Sequence, residues 1–164
     1  MNKVIVIGPG GAGKSYFSAQ LAKYTNLPLY HLDNIFWHED RTHIERSEFD
    51  EELSDILKKD RWIIDGDYSR TYEIRMEYCD TIYFLDFSLE DSLKGVESRI
   101  CKKRDDIPFI DYEFDPEFKE WIKNWFIEKK PKLIELLEKY KDKTIIVLKN
   151  REEINNYLDN FVVG

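Results

Sequence analysis

The chain has 164 residues, 42% of them hydrophobic and 35% charged, with a net charge of −8 and a pI near 5.0. That length fits one domain, residues 1–164. The apolar share supports a packed core and excludes a disordered chain, while the acidic balance argues against nucleic acid as a partner. A domain of this size hides roughly 70% of its unfolded surface, so it needs no disulfide or metal staple. Cys79 and Cys101 fall in stretches with helical spacing and are read as reduced thiols. The N-terminus runs straight into a strand without a signal peptide, and no apolar run approaches the ~20 residues that cross a bilayer. The expected compartment is the cytoplasm, with no membrane partner.

Lys3 to Ile7 (KVIVI) is a β-branched run ending at Gly8, the pattern of a strand buried on both faces. Phe17, Leu21 and Tyr24 then follow helical spacing. Leu27 to Leu32 reads as a second strand, with Pro28 tolerated near its start. Residues 34–46 are polar with aromatics and read as irregular. Ser47-x-x-Asp50 resembles a capping box, and Phe49, Leu53, Ile56 and Leu57 form the helical stripe after it. Trp62 to Asp65 is a third strand, a short helix covers about Thr71 to Tyr78, and Thr81 to Phe87 is a fourth strand. Ser88 to Lys103 reads as mostly helical and Asp105 to Asp115 as a loop. Phe118, Trp121, Ile122, Trp125 and Phe126 repeat at helical spacing. Pro131 starts or kinks the next helical piece. Thr144 to Leu148 is a fifth strand and Glu152 to Phe161 a closing helix. Strands alternating with helices in this way predict an α/β fold with a parallel sheet, helices on both faces and ligands at the carboxyl ends of the strands.

Gly8-Pro9-Gly10-Gly11-Ala12-Gly13-Lys14-Ser15 matches G-x-x-x-x-G-K-[ST] between a strand and a helix. The glycines let the backbone turn its N–H groups onto phosphate oxygens, and the following helix adds the positive end of its dipole. Lys14 can reach the β- and γ-phosphates, and the Ser15 hydroxyl can ligate Mg²⁺. Gly8, Gly10, Gly11, Ala12, Gly13, Lys14, Ser15 and the adjoining Tyr16 are the candidate nucleotide-binding residues. ATP and Mg²⁺ are the expected cofactors.

Asp65 ends the third strand, beside this loop if strands one and three are neighbours. It can hold a water on Mg²⁺ or merely cap the next turn. Arg70 can grip an acceptor phosphate or carboxylate in bidentate fashion, or form a surface ion pair. At the end of strand two, alternation points His31 and Asp33 to the same side. Asp33 can take a proton from an attacking hydroxyl, whereas His31 reads as a packing residue or hydrogen-bond partner. Phe36 and Trp37 can wall an acceptor pocket or sit in the core.

Together these pieces resemble the adenylate kinase-like branch of P-loop kinases. The segment Ile63 to Thr71 (IIDGDYSRT) is similar to that branch's Asp-Gly-Phe-Pro-Arg segment. The resemblance implies a three-layer P-loop fold with strand order 2-3-1-4-5. It gives Asp65 a magnesium role and Arg70 an acceptor role. Gly8 to Ser15, Leu27 to Trp37, Trp62 to Thr71, Thr81 to Ser88 and Lys143 to Leu158 further resemble the bacterial DNA topology modulation proteins, with Asp67 standing where asparagine is expected. In the related kinases a short helical lid begins near residue 99 and its arginines cover the transferred phosphoryl group. By that likeness the lid is residues 99–115. Arg99 and Arg104 are then its catalytic candidates, although the basic run Arg99, Lys102, Lys103, Arg104 also suits a solvated helix end. Arg151 is placed by the likeness near the adenine. The Phe118–Phe126 stripe reads as core or as a self-association face, not as a cofactor box.

The expected function is transfer of the γ-phosphoryl group of ATP to a small-molecule, nucleotide or nucleoside acceptor. Lys14, Asp33, Arg70, Arg99 and Arg104 carry the catalysis, and Ser15 and Asp65 serve the metal. An ATP-binding regulatory module acting through a protein or DNA partner is the alternative.

Overall fold

The structure is a computed structural model that describes residues 1–163. Five parallel strands form one sheet in the order β2-β3-β1-β4-β5. They are β1 (Lys3–Ile7), β2 (Leu29–His31), β3 (Trp62–Asp65), β4 (Thr81–Leu85) and β5 (Thr144–Leu148). The helices are α1 (Lys14–Thr25), α2 (Leu32–Phe36), α3 (Arg46–Leu57), α4 (Tyr72–Tyr78), α5 (Leu89–Ser98), α6 (Pro116–Asn124), α7 (Lys130–Lys139) and α8 (Arg151–Val163). The architecture is the expected three-layer α/β fold.

Alternation along β1 divides the core. Ile5 and Ile7 pack into one cluster with Phe49, Trp62, Tyr72 and Trp125. Val4 and Val6 pack on the other face with Phe17, Leu21, Tyr83 and Leu158. Because β1 is central and buried on both sides, every second residue must be apolar on each face, and the run KVIVI meets that demand. Among the described residues no helix is long and apolar enough to cross a membrane.

Several boundaries differ from the expectation. β2 spans only Leu29–His31, and Leu32–Phe36 turns into a short helix where strand and irregular chain were expected. One turn of helix is too short to show periodicity. α3 begins at Arg46, so Ser47 lies inside the helix; Glu45 precedes it with no side-chain cap, and the capping box is not used. β4 stops at Leu85. α5 stops at Ser98, short of Lys103. Cys79 ends α4 and is buried, whereas exposed Cys101 sits in a turn with φ of 63° and not in a helix. A π-helical stretch, Trp125–Lys129, joins α6 to α7 ahead of Pro131. The missing N–H of Pro131 removes one helical hydrogen bond there.

The phosphate-type loop after β1 is clamped from two sides. Ile122 and Phe118 of α6 lie against Gly10. On α5, a Cβ on Gly95 would stand 1.9 Å from the Gly11 carbonyl oxygen, so only glycine permits this approach. Gly95→Ala is therefore predicted to destabilise the chain by about 1–3 kcal/mol and to weaken nucleotide binding with it. Urea denaturation and a nucleotide titration test this; an unchanged midpoint would show that α5 and the loop separate freely.

Candidate active site

The carboxyl ends of β1, β2 and β3 open onto a cavity of about 560 Å³. Parallel pairing sets Val6 beside Asp65 and His31 beside Asp65. The loop after β1, the start of α2 and the loop after β3 thereby converge on one space. Gly10, Gly11, Gly13, Lys14 and Ser15 form one wall. Asp33, Asp65, Asp67, Tyr68 and Arg70 line it, as do Arg99 and Arg104.

Gly13 adopts φ of 81° and leads into α1 without a side-chain cap, so the first-turn N–H groups of α1 lack an internal partner. Lys14 Nζ donates to the carbonyl oxygens of Gly8 and Pro9 at 2.9 Å each. Burial holds its pKa below the usual lysine value, with Asp67 and Asp33 opposing that shift. Gly8 and Ala12 are buried behind the loop and, like Tyr16 and Arg151, do not line the cavity. Arg151 instead lies over the Tyr16 ring at 5.3 Å and against Gly13, outside the cavity.

Asp33 is not on a strand. It sits in the first turn of α2, so the alternation argument ends at His31. Burial raises the Asp33 pKa and Asp106 adds to the rise, while a hydrogen bond from Tyr68 opposes it. In that bond the Tyr68 hydroxyl donates to Asp33 Oδ1 at 2.7 Å. Tyr68 has a left-handed backbone, φ of 36°, an uncommon conformation for a bulky residue that needs outside support.

Arg75 supplies that support. It is fully buried, and its guanidinium donates to the carbonyl oxygens of Gly66, Asp67 and Tyr68 and to Thr71 Oγ1. Sequence reasoning missed both Arg75 and Tyr68. A usable signal existed for Arg75: it shares one helical face with Tyr72, Met76 and Cys79, all buried, and a cation on an apolar face needs internal acceptors. Arg75→Met leaves the Gly66 and Asp67 carbonyls without a donor, while that of Tyr68 keeps Thr71, and is predicted to destabilise the chain by about 3 kcal/mol, read as a lowered urea midpoint.

His31 Nδ1 lies 2.7 Å from Asp65 Oδ2, making His31 a hydrogen-bond partner. Burial disfavours its charged form, yet the hydrogen bond to Asp65 and the charge of Asp65 prevail, so its pKa is raised. Protonation therefore favours the folded state. This stability is complete below the unfolded value near 6.5 and is lost as pH rises through the folded value. Thermal melts of the ligand-free chain from about pH 6 to about pH 8.5 are predicted to show this loss, and His31→Gln to remove it.

Asp67 is structurally committed: Oδ1 accepts from Trp125 Nε1 at 2.9 Å and from the Tyr72 hydroxyl. Arg70 forms a bidentate pair with Asp50 of α3, at 2.8 and 3.1 Å, with both side chains over 40% exposed. Arg104 forms a bidentate pair with Asp106, at 2.7 and 3.0 Å, and these side chains are 13% and 9% exposed. Arg99 lies near this pair without a carboxylate partner among the described residues; its Nε is buried and unbonded. Burial and the charge of Arg104 push its pKa down to about 10. The aromatic stripe divides. Ile122 and Trp125 are buried, while Phe118 and Trp121 line the cavity, as Phe36 and Trp37 also do. The expectation of a purely core or self-association stripe is corrected at these two positions.

Among the described residues no group of three or more His, Cys, Asp or Glu could hold a metal ion unaided. Ser15 and Asp65 nonetheless both line the cavity and both offer oxygen donors. That set suits Mg²⁺, which takes few protein ligands and completes its shell with water and phosphate oxygens.

No family model matches the chain, and no curated protein matches it. Solved structures do. Shikimate kinase from Acinetobacter baumannii, in complex with shikimate, superposes with a TM-score of 0.61 at 12% identity, covering 99% of this chain and 91% of that one. A sugar kinase from Janibacter sp. gives 0.54 at 14% identity, covering 98% and 89%. Deoxyadenosine kinase from M. mycoides with bound dCTP gives 0.51 at 12% identity, covering 98% and 99%. At these identities the likeness establishes the fold alone, the three-layer α/β fold that these kinases share.

Proposed function

We propose that the chain is a Mg²⁺-dependent phosphotransferase that moves the γ-phosphoryl group of ATP to a hydroxyl of a small acceptor. The observation that carries this reading is one cavity holding the P-loop Lys14, the half-buried Asp33 carboxylate and the unpaired Arg99 guanidinium. In the scheme, Gly10 to Ser15 cradle the phosphates, and Lys14 leaves the Gly8 and Pro9 carbonyls for the β- and γ-phosphates. Ser15 and Asp65 are the residues that would hold Mg²⁺. The metal, when bound, neutralises charge on the phosphate oxygens.

Asp33 orients the acceptor hydroxyl and takes its proton. The hydroxyl oxygen forms a bond to the γ-phosphorus as the bond to the β–γ bridging oxygen breaks, and ADP leaves with that electron pair. Arg99 stabilises the equatorial oxygens, while Arg104, in the 99–115 lid, adds positive charge nearby without leaving its pair with Asp106. Arg70 can meet the acceptor only by exchanging Asp50; an exposed pair of this kind is worth about 1 kcal/mol or less. The Tyr16–Arg151 pair, next to Gly13, is where the adenine would rest.

The segments shared with the DNA topology modulation proteins support placing the chain with them. Its net charge of −8 favours a small acceptor over DNA. The test is ATP consumption and acceptor phosphorylation across a panel of nucleosides, nucleotides and small alcohols. ATP hydrolysis that no acceptor accelerates, or no turnover at all, would sink the reading.

A further inference from the structure

A second chamber of about 710 Å³ adjoins the cavity. Asp33, Trp37, Arg99, Arg104 and Phe118 wall both spaces, so a molecule with one end at Asp33 extends directly into it. Of its other ten wall residues five are apolar, Val96, Ile100, Ile107, Phe109 and Phe114, and they stand beside Tyr112 and the charged Arg41, Asp111, Glu113 and Asp115. The roof is fastened to the α2–α3 connection. Arg41 pairs with Asp111 at 2.9 Å, donates to the Ile110 carbonyl at 2.7 Å and lies 4.3 Å over the Phe109 ring. Asn34 donates to the Asp105 carbonyl at 2.7 Å.

Two of the three cations that face this space are already paired. Arg41 has Asp111, and Arg104 has Asp106. A ligand anion that took Arg104 would strand the buried Asp106 carboxylate, which is strongly unfavourable. Arg99 is without such a partner, but in the phosphotransferase reading it belongs to the γ-phosphoryl group. Arg46, at the wall of the first cavity, is exposed and gains little from a solvated anion. Asp33, Glu113 and Asp115 add negative charge to the chamber.

We propose that the acceptor is an uncharged alcohol whose bulky apolar or aromatic part fills the second chamber while its hydroxyl meets Asp33. This rests on the phosphotransferase reading and concerns what that site accepts. The transfer remains balanced: the acceptor oxygen gains the phosphoryl group, its proton goes to Asp33, and ADP departs.

Binding tests it without turnover. Calorimetry in the presence of Mg²⁺ and a non-hydrolysable ATP analogue compares thymidine, deoxyadenosine and 3-phenylpropanol with thymidine monophosphate, deoxyadenosine monophosphate and phenyllactate. At least one uncharged probe is expected to bind about tenfold or more tightly than its anionic counterpart. Ile107→Trp, which fills the chamber, is expected to weaken that probe about tenfold and leave the ATP analogue within about twofold. Ile107→Arg, which adds a cation with little change in volume, is expected to shift preference toward the monophosphates. Tighter binding of the anionic probes to the unaltered chain overturns the proposal. So does unchanged probe binding in both variants, or no binding by any probe. Probes that bind but are never phosphorylated overturn the phosphotransferase reading instead, and leave the chamber assignment standing.

Discussion

Asp33→Asn is expected to lower kcat by about a thousandfold while leaving Mg·ATP affinity within about twofold. Asparagine still accepts a hydrogen bond from Tyr68, so the geometry of the cavity is kept and only the proton acceptor is lost. The same substitution is expected to raise stability at neutral pH. Burial raises the Asp33 pKa in the fold, so the ionised carboxylate is held against a desolvation penalty. The sign follows from linkage: a group with a raised folded pKa favours the fold below its unfolded value and loses that contribution as pH rises through the folded one. Above that window the charge is a burden that asparagine removes. The raised value also moves the acid limb of the kcat/KM profile upward, because transfer needs Asp33 ionised. Activity and melting temperature moving in opposite directions would mark a functional carboxylate; if both fell, Asp33 would be a structural residue.

Lys14→Ala is expected to be more severe: loss of about a thousandfold in kcat together with at least about tenfold weaker Mg·ATP binding. In the phosphotransferase reading, Lys14 is the one P-loop side chain that would bring a full positive charge to the phosphates. Single-turnover phosphorylation and a nucleotide titration separate the two losses. Retained transfer at near-normal rate would mean that the nucleotide does not sit at this loop. Lys14→Arg is not expected to rescue it, since a planar guanidinium is larger and cannot act as a compact point charge between two phosphates.

The sheet and the phosphate loop were legible in the sequence because each rests on a local pattern. KVIVI and WIID are short β-branched or apolar runs closed by glycine, and the loop is a fixed spacing of glycines before Lys14. The strand order came from resemblance and is the order found. What escaped was tertiary. Nothing in the spacing of Arg70 says that Asp50, on another helix, meets it. Trp121 and Phe118 carry the same periodicity as Ile122 and Trp125, so the stripe alone cannot say which side chains face a cavity. Tyr68 needs φ of 36° to reach Asp33, and that conformation is imposed by Arg75 from the following helix. The end of β2 was misplaced because the single turn Leu32–Phe36 is too short to show periodicity, and the end of α5 because Arg99 and the residues after it are compatible with continued helix.

The contact between Gly11 and Gly95 has a kinetic consequence. It locks the phosphate loop to α5, and Arg99 is the next residue after that helix ends. The loop and Arg99 therefore travel as one body. Any opening of the roof for product release has to pivot beyond Arg99, where Cys101 already adopts a left-handed backbone with φ of 63°. In the phosphotransferase reading Arg99 would then stay registered to the nucleotide, and only Arg104 and the roof would swing away. Hydrogen exchange would show this as rapid opening that starts after residue 100 and leaves the amides of α5 protected.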